Sequence, residues 1–413
     1  MYRILCFAFL LLGFTNCNPK AQLSTIRVTD LSSFPKMIEP DDYKRPCAVP
    51  ENYSPDEWTE RRVIRVNVHL LNNTAGTANF SHDVGKDYVQ RILWNCNERL
   101  GKNVKMNLPV GNDTPVLDPH YRYRVVGLTP EDDGFYTHID DEHSFFMNKG
   151  KNRNNYDKEV IKKYKIRSDS ILNIFVISHP QDSLGSKSYK AFGTGIALGT
   201  SLKVAGLYTH RDKEPYTFGS LMNHEIAHVL GLGHAWTKYD GCDDTPVHPN
   251  CWDADSPTPC DGTFSNNMMD YNYLQSALTP CQLGKIHKNF STLEGKTRKL
   301  IYDAWCNPIL DDPIYIDRHV AWKGSRDLRR DIVILPGGQL DIHCRISMAA
   351  GRKITVKNGG SLHLHKYAKI HNDCGDTWEG IEVEVFNDIN NQLLVYENAS
   401  INNINYTKNP TQP

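Results

Sequence analysis

The chain has almost no net charge: across 413 residues, 47 Lys and Arg stand against 48 Asp and Glu. That balance provides no general attraction to polyanions, so neither nucleic acid nor an anionic membrane surface is expected as a partner. Long apolar runs are also lacking. The run from Ile4 to Phe14 is too short to span a bilayer, and no later stretch looks transmembrane. With Arg3 ahead of it, the run reads as a secretory signal over residues 1–17. Function is therefore left to local sites, in a chain long enough for two or three domains.

Cys17, just after the apolar run, resembles the lipidated cysteine of bacterial lipoproteins, with ordinary signal cleavage as the alternative. A single lipid would be the chain's sole membrane attachment, and only a marginal one. The expected location is the cell envelope or the medium, and the expected state a monomer. Setting aside Cys6 and Cys17 leaves 9 of the 11 cysteines. In an exported protein most of these should pair, and the odd count leaves one over.

Residues 18–60 carry scattered prolines and charges with little periodicity, as a prosegment would. Regular structure begins at "RRVIRVNVHLL", where Ile64, Val66, Val68 and Leu70 alternate with polar residues as in a strand. "VGKDYVQRILWNCNERLG" places Val84, Tyr88, Ile92 and Leu93 at helical spacing and stops at Gly101. Four short strand candidates follow, "YRYRVVGL", "SILNIFVI", "FGTGIALG" and "VAGLYT", and then the helix candidate "TFGSLMNHEIAHVLGL". This order suits a layered α+β domain over 61–300. From 301 to 413 the texture becomes all-β. "DIVILPGGQLDI" and "RKITVKNGGSLHL" repeat one pattern, with Gly338 and Gly360 22 residues apart, as in a turn of β-solenoid or two similar hairpins of a small sandwich.

The chemistry is concentrated in "HEIAHVLGLGH". Residues four apart on a helix share a face, so His224 and His228 can hold one ion, with Glu225 beside them. Gly231 permits the sharp turn that returns His234 as a third ligand. Three neutral imidazoles with an open fourth position make a catalytic rather than a structural Zn²⁺ site. The ion lowers the pKa of its bound water, and Glu225 serves as general base for attack on a peptide carbonyl.

The extended HExxHxxGxxH pattern, followed by "NNMMDY", resembles the metzincin metallopeptidases. "GLGHAW", "DGCDDTP" and "LTPCQ" are most similar to the pappalysin family. The resemblance implies a mixed five-stranded sheet with an active-site helix, and a zinc-ligand and Met-turn subdomain. It also implies Met269 as the floor beneath the imidazoles and Tyr271 as a residue reaching the metal or the tetrahedral intermediate. "FGTGIALG" would be the edge strand that pairs with an extended polypeptide substrate. Leu278 stands where the family has Phe, and the family's cysteine pattern is not kept. Cys242, Cys251, Cys260 and Cys281 should form two bridges, with three pairings open. By the same resemblance Asp240, Asp243 and Asp244, with Asp253 and Asp255 nearby, are candidates for a Ca²⁺ site, against the alternative of a solvated acidic loop.

Cys47, in "KRPCAVPE", can act as a cysteine switch whose thiolate occupies the open zinc position, as in pappalysin relatives. The alternative is a bridge to Cys96, Cys306, Cys344 or Cys374. In the C-terminal part His363 and His365 stand at strand spacing, near His371, and can share a face. The function expected is that of a zinc endopeptidase. The competing class is a surface-attached binding protein with a vestigial metal site.

Overall fold

The computed structural model describes residues 23–77, 79–147, 153–180, 184, 193–248, 251–252, 260, 262–272, 274–309, 312–386 and 389–406. The signal segment with Cys17, and Asp253 and Asp255, lie outside the described residues. Among those residues no helix is long and apolar enough to cross a membrane.

Two short strands, β1 (Ser24–Val28) and β2 (Lys36–Met37), precede the first layered unit. That unit is built on β3 (Arg62–Asn72), whose residues from Val66 on are all buried. Helix α1 (His82–Leu100) lies against it and buries Tyr88, Val89, Ile92, Leu93, Cys96 and Leu100 at helical spacing. Val84, expected on that face, is 56% exposed; Gly85 makes the close approach to Leu70 instead.

The strands β4 (Tyr121–Val125) and β5 (Phe135–Ile139) pair end to end along one edge of β3. Helix α2 (Glu159–Tyr164) precedes β6 (Leu172–Ile177), which pairs with the other edge of β3. The sheet continues through β8 (Ser201–Ala205) to the antiparallel edge strand β7 (Thr194–Leu198). It therefore has six strands rather than the expected five, because the long β3 carries two short partners on one side. The strand at β5 gave little signal in sequence, since Phe135 alone of its five residues is buried. The strand expected at "VAGLYT" runs instead over Ser201–Ala205.

Helix α3 (Gly219–Val229) packs beside α1 on one face of the sheet, while Val160 and Ile161 of α2 belong to the smaller cluster with Phe175 and Ile177. Two further helices, α4 (Pro280–Ser291) and α5 (Lys296–Leu300), close the unit. The N-terminus of α4 is fixed by a capping box in which Thr279 and Gln282 satisfy each other's amides.

From Ile314 the chain lays down three sheets in turn. Ile314–Ile316, Ile332–Ile334, Lys353–Val356 and Gly380–Val385 pair in parallel in the first sheet. His319–Trp322, Gln339–Ile342, Ser361–Leu364 and Leu393–Tyr396 form the second, and Arg326–Leu328, Arg345–Met348, Lys369–His371 and Ser400–Ile401 the third. The strands flanking each Gly-Gly turn lie in different sheets and do not pair with each other, as hairpin strands would. Ile314, Ile332, Ile354 and Ile381 stack in register, all buried. Each contributes on the order of 1.5–3 kcal/mol of burial. Gly337 adopts φ +83°, and a Cβ on Gly338 would meet the Ile316 carbonyl at 2.1 Å, so the repeated pair supplies first a left-handed corner and then a close approach.

The segment expected as a prosegment is integrated into these sheets. β1 pairs antiparallel with Gly380–Val385, and β2 pairs parallel with Leu393–Tyr396. Cys47 is bonded to Cys344, which corrects the cysteine-switch expectation: the sulfur that would have to reach the imidazoles is held on the C-terminal sheets. Among the described residues the remaining bridges are Cys242–Cys281, Cys251–Cys260 and Cys306–Cys374, and the unpaired cysteine is the buried Cys96.

Candidate metal centre

Helix α3 ends in a tight reversal. The Leu232 amide donates to the Ala227 carbonyl and the Gly231 amide to that of His228, with Gly231 at φ +102°, a Schellman motif. The Asn289 side chain closes the end by donating to the Leu230 carbonyl at 2.8 Å. The reversal returns His234 toward the helix face that carries His224 and His228. Nε2 of His228 lies 3.1 Å from Nε2 of His224 and 3.1 Å from Nε2 of His234.

Two of the rings are fixed from behind. Nδ1 of His224 donates to the Met268 carbonyl at 2.8 Å, and Nδ1 of His228 to the Leu232 carbonyl at 2.8 Å. Burial lowers His224 to about 3 and His234 to about 4, and lowers His228 as well. At neutral pH the facing Nε2 atoms of His224 and His228 therefore hold lone pairs with no proton between them. That arrangement is repulsive unless a cation lies at the convergence, and the donor chemistry fits Zn²⁺.

Glu225 is buried beneath β7. Burial lifts its carboxyl to about 8, and a hydrogen bond from the Ala197 backbone offsets part of that rise. Tyr271 is 54% exposed, its ring 5.0 Å from that of His234 and 5.9 Å from that of His224. Its pKa is raised by burial and then by the Glu225 charge. Trp236 stacks on His234 with ring centroids 4.1 Å apart.

Met269 is fully buried, and its amide is held by Asn267 Oδ1 at 2.8 Å. The atom of this turn that touches a metal-facing ring is the carbonyl of Met268. Sequence reading missed how the turn is braced. The amides of Asn267 and Gln282 bond reciprocally at 2.9 and 3.0 Å, and Asp270 accepts from His248 at 3.0 Å. The capping-box pattern in "LTPCQ" could have pointed to Gln282, but nothing local points to Asn267 as its partner.

The calcium candidates do not converge. Asp240 is spent on Thr245 and the Cys242 amide, and Asp244 accepts from Thr279 at 2.7 Å and from the Cys281 amide at 3.0 Å. Asp243 is exposed, and among the described residues neither it nor Asp240 belongs to any group of three convergent ligand side chains. Of the three, Asp244 holds the start of α4.

No protein-family model matches the sequence, and no curated protein does. Among solved structures, mirolysin bound to a compound aligns at a TM-score of 0.42 and 19% identity over 59% of this chain and 96% of that one. Mature Tannerella forsythia mirolysin with a cleaved peptide aligns at 0.41 and 19%, over 59% of this chain and 96% of that one. A promirolysin mutant from the same organism aligns at 0.41 and 18%, over 61% and 87%. Superpositions this loose leave the site to be judged on its own atoms.

Proposed function

We propose that the chain is an exported zinc-dependent endopeptidase, with His224, His228 and His234 as metal ligands. The observation that carries this reading is the convergence of three Nε2 atoms, two of them on rings whose Nδ1 protons are already engaged, beside a buried carboxyl. A bound Zn²⁺ supplies Lewis acidity toward a peptide carbonyl and acidity to a water. Glu225 takes the proton of the attacking water and returns it to the leaving amine, and a cation nearby brings its raised pKa back toward neutrality. Tyr271, half-exposed with its ring 5.0 Å from that of His234, would donate to oxygen charge that develops at the metal.

Among the described residues no strand pairs with the outer edge of β7, which would offer main-chain pairing to an extended polypeptide directly above Glu225. Four disulfides support export. Met269 supports the ligands as the apolar residue of the turn beneath them. The three parallel sheets of residues 314–401, each taking every third strand, support a β-solenoid for the C-terminal domain.

The test is hydrolysis of a denatured protein with and without 1,10-phenanthroline, alongside Glu225→Gln. The chelator should abolish cleavage and the substitution should lower it about 10²- to 10⁴-fold. Equal hydrolysis in all samples would remove the enzyme reading.

A further inference from the structure

The second C-terminal sheet sends alternate residues to opposite faces. Val320, Leu340, Ile342, Leu362 and Leu364 fill the core, and the positions between them bring histidines together with one carboxylate on the other face. Asp341 and His363 are register partners in adjacent parallel strands. His363 Nδ1 stands 3.0 Å from Asp341 Oδ1, and His365 Nε2 3.9 Å from Asp341 Oδ2. One ligand atom from each of the three lies within 4.8 Å of the others. Their side chains are 12%, 17% and 13% exposed, so the cluster is largely sealed from water.

His365 is held in place by its surroundings. Its Nδ1 is 2.6 Å from Glu39 Oε1, and its ring is stacked by His343 at 3.8 Å and Tyr396 at 4.7 Å. Held from behind by Glu39, the ring turns its Nε2 toward Asp341, the arrangement that orients histidine ligands of metals. That Nε2 is buried without a hydrogen-bond partner. The 3.9 Å gap to Asp341 is too long for a hydrogen bond. It is close to the roughly 3.0–3.6 Å separating two ligand atoms bonded to one zinc at about 2.0–2.2 Å. His319 and Gln339 hold the Asp341 oxygens from outside, at 2.8 and 2.9 Å.

We propose that Asp341, His363 and His365 bind a divalent first-row transition ion, a second metal site built on the C-terminal sheets. Two imidazoles and one carboxylate are a donor set for zinc-class ions. Because Glu39 comes from the segment after β2, the ion fastens the N-terminal segment to the C-terminal sheets through His365.

The experiment is zinc bound per full-length chain, by elemental analysis after dialysis, for wild type, His228→Gln, His363→Ala with His365→Ala, and all three substitutions combined. The expected stoichiometries are two, one, one and zero. A wild type with one equivalent that His228→Gln abolishes would overturn the second site. One equivalent retained in both wild type and His228→Gln would support this site and remove the ligand role of His228. Should the combined variant fold poorly, zinc added to His228→Gln should raise its melting temperature. Glu39→Gln in that background should weaken zinc about 10- to 100-fold. No zinc-dependent shift in His228→Gln would also overturn the proposal.

Discussion

Gly195 lies so close over Glu225 that a Cβ there would stand 2.4 Å from the glutamate Cγ. β7 and α3 are thus in contact through a missing side chain, and the proposed general base is positioned by the absence. Gly195→Ala should push Glu225 off its position and lower kcat/KM on a denatured protein about 10²-fold, as an ångström-scale misplacement does. Zinc content should not change. Full activity in this variant would show that the carboxyl has room to relocate.

Gly231 occupies φ +102°, and a Cβ there would meet Asn289 Nδ2 at 2.3 Å. Gly231→Ala should cost about 1–3 kcal/mol in a denaturant titration, through backbone strain and the lost helix-end contact. Since the next residue, Leu232, accepts from His228, zinc should also dissociate faster from this variant.

Asp327 is sealed between Arg62, Arg298 and Arg345, with contacts of 2.7–3.1 Å to each, where the two units of the chain meet. Burial alone would raise its carboxyl; the three guanidinium charges outweigh burial and hold it well below the ordinary range. The folded state therefore binds this proton less readily than the unfolded chain. The resulting stability is present above about pH 4 and is lost as pH falls further. Asp327→Asn should destabilise by about 3–5 kcal/mol in urea at pH 7, because three buried cations lose their common partner.

His287 is buried with Nε2 donating to the Pro119 carbonyl at 2.8 Å, and burial lowers its pKa from 6.5 to about 4. Between those values the unfolded chain takes up the proton and the folded one does not, so stability falls as pH drops through that window. His287→Gln should flatten the loss between pH 6.5 and 4 by on the order of 3 kcal/mol, at about 1.4 kcal/mol per pKa unit. Urea titrations of both proteins at several pH values measure it.

Cys47→Ser separates the bridge from a latency device. Loss of a link spanning 297 residues of sequence should cost about 2–5 kcal/mol. Hydrolytic activity per folded molecule should stay level. A rise in activity on this substitution would restore the inhibitory thiol.

The metal-centre residues were legible because they obey local rules. Helical spacing places His224 and His228 on one face, and Gly231 ends α3 where the pattern requires. The bracing of the site depends on distant pairs, such as Asn267 with Gln282, which no spacing announces. The same limit explains why the strands of the N-terminal segment gave no signal. Its strands pair with residues about 350 positions away, so locally it carries only scattered prolines and charges. The calcium expectation counted carboxylates without their partners, and Asp244 is engaged by the start of α4.

β1 and β2 cover the last rungs of two parallel sheets, at Gly380–Val385 and Leu393–Tyr396. An uncovered final rung is a template on which another molecule can add its own strand. By laying two short strands of five and two residues over these rungs, the chain leaves each ladder with a shorter edge than the rung beneath it, and clipping between Val28 and Lys36 should free β1 from its covalent tie to β2.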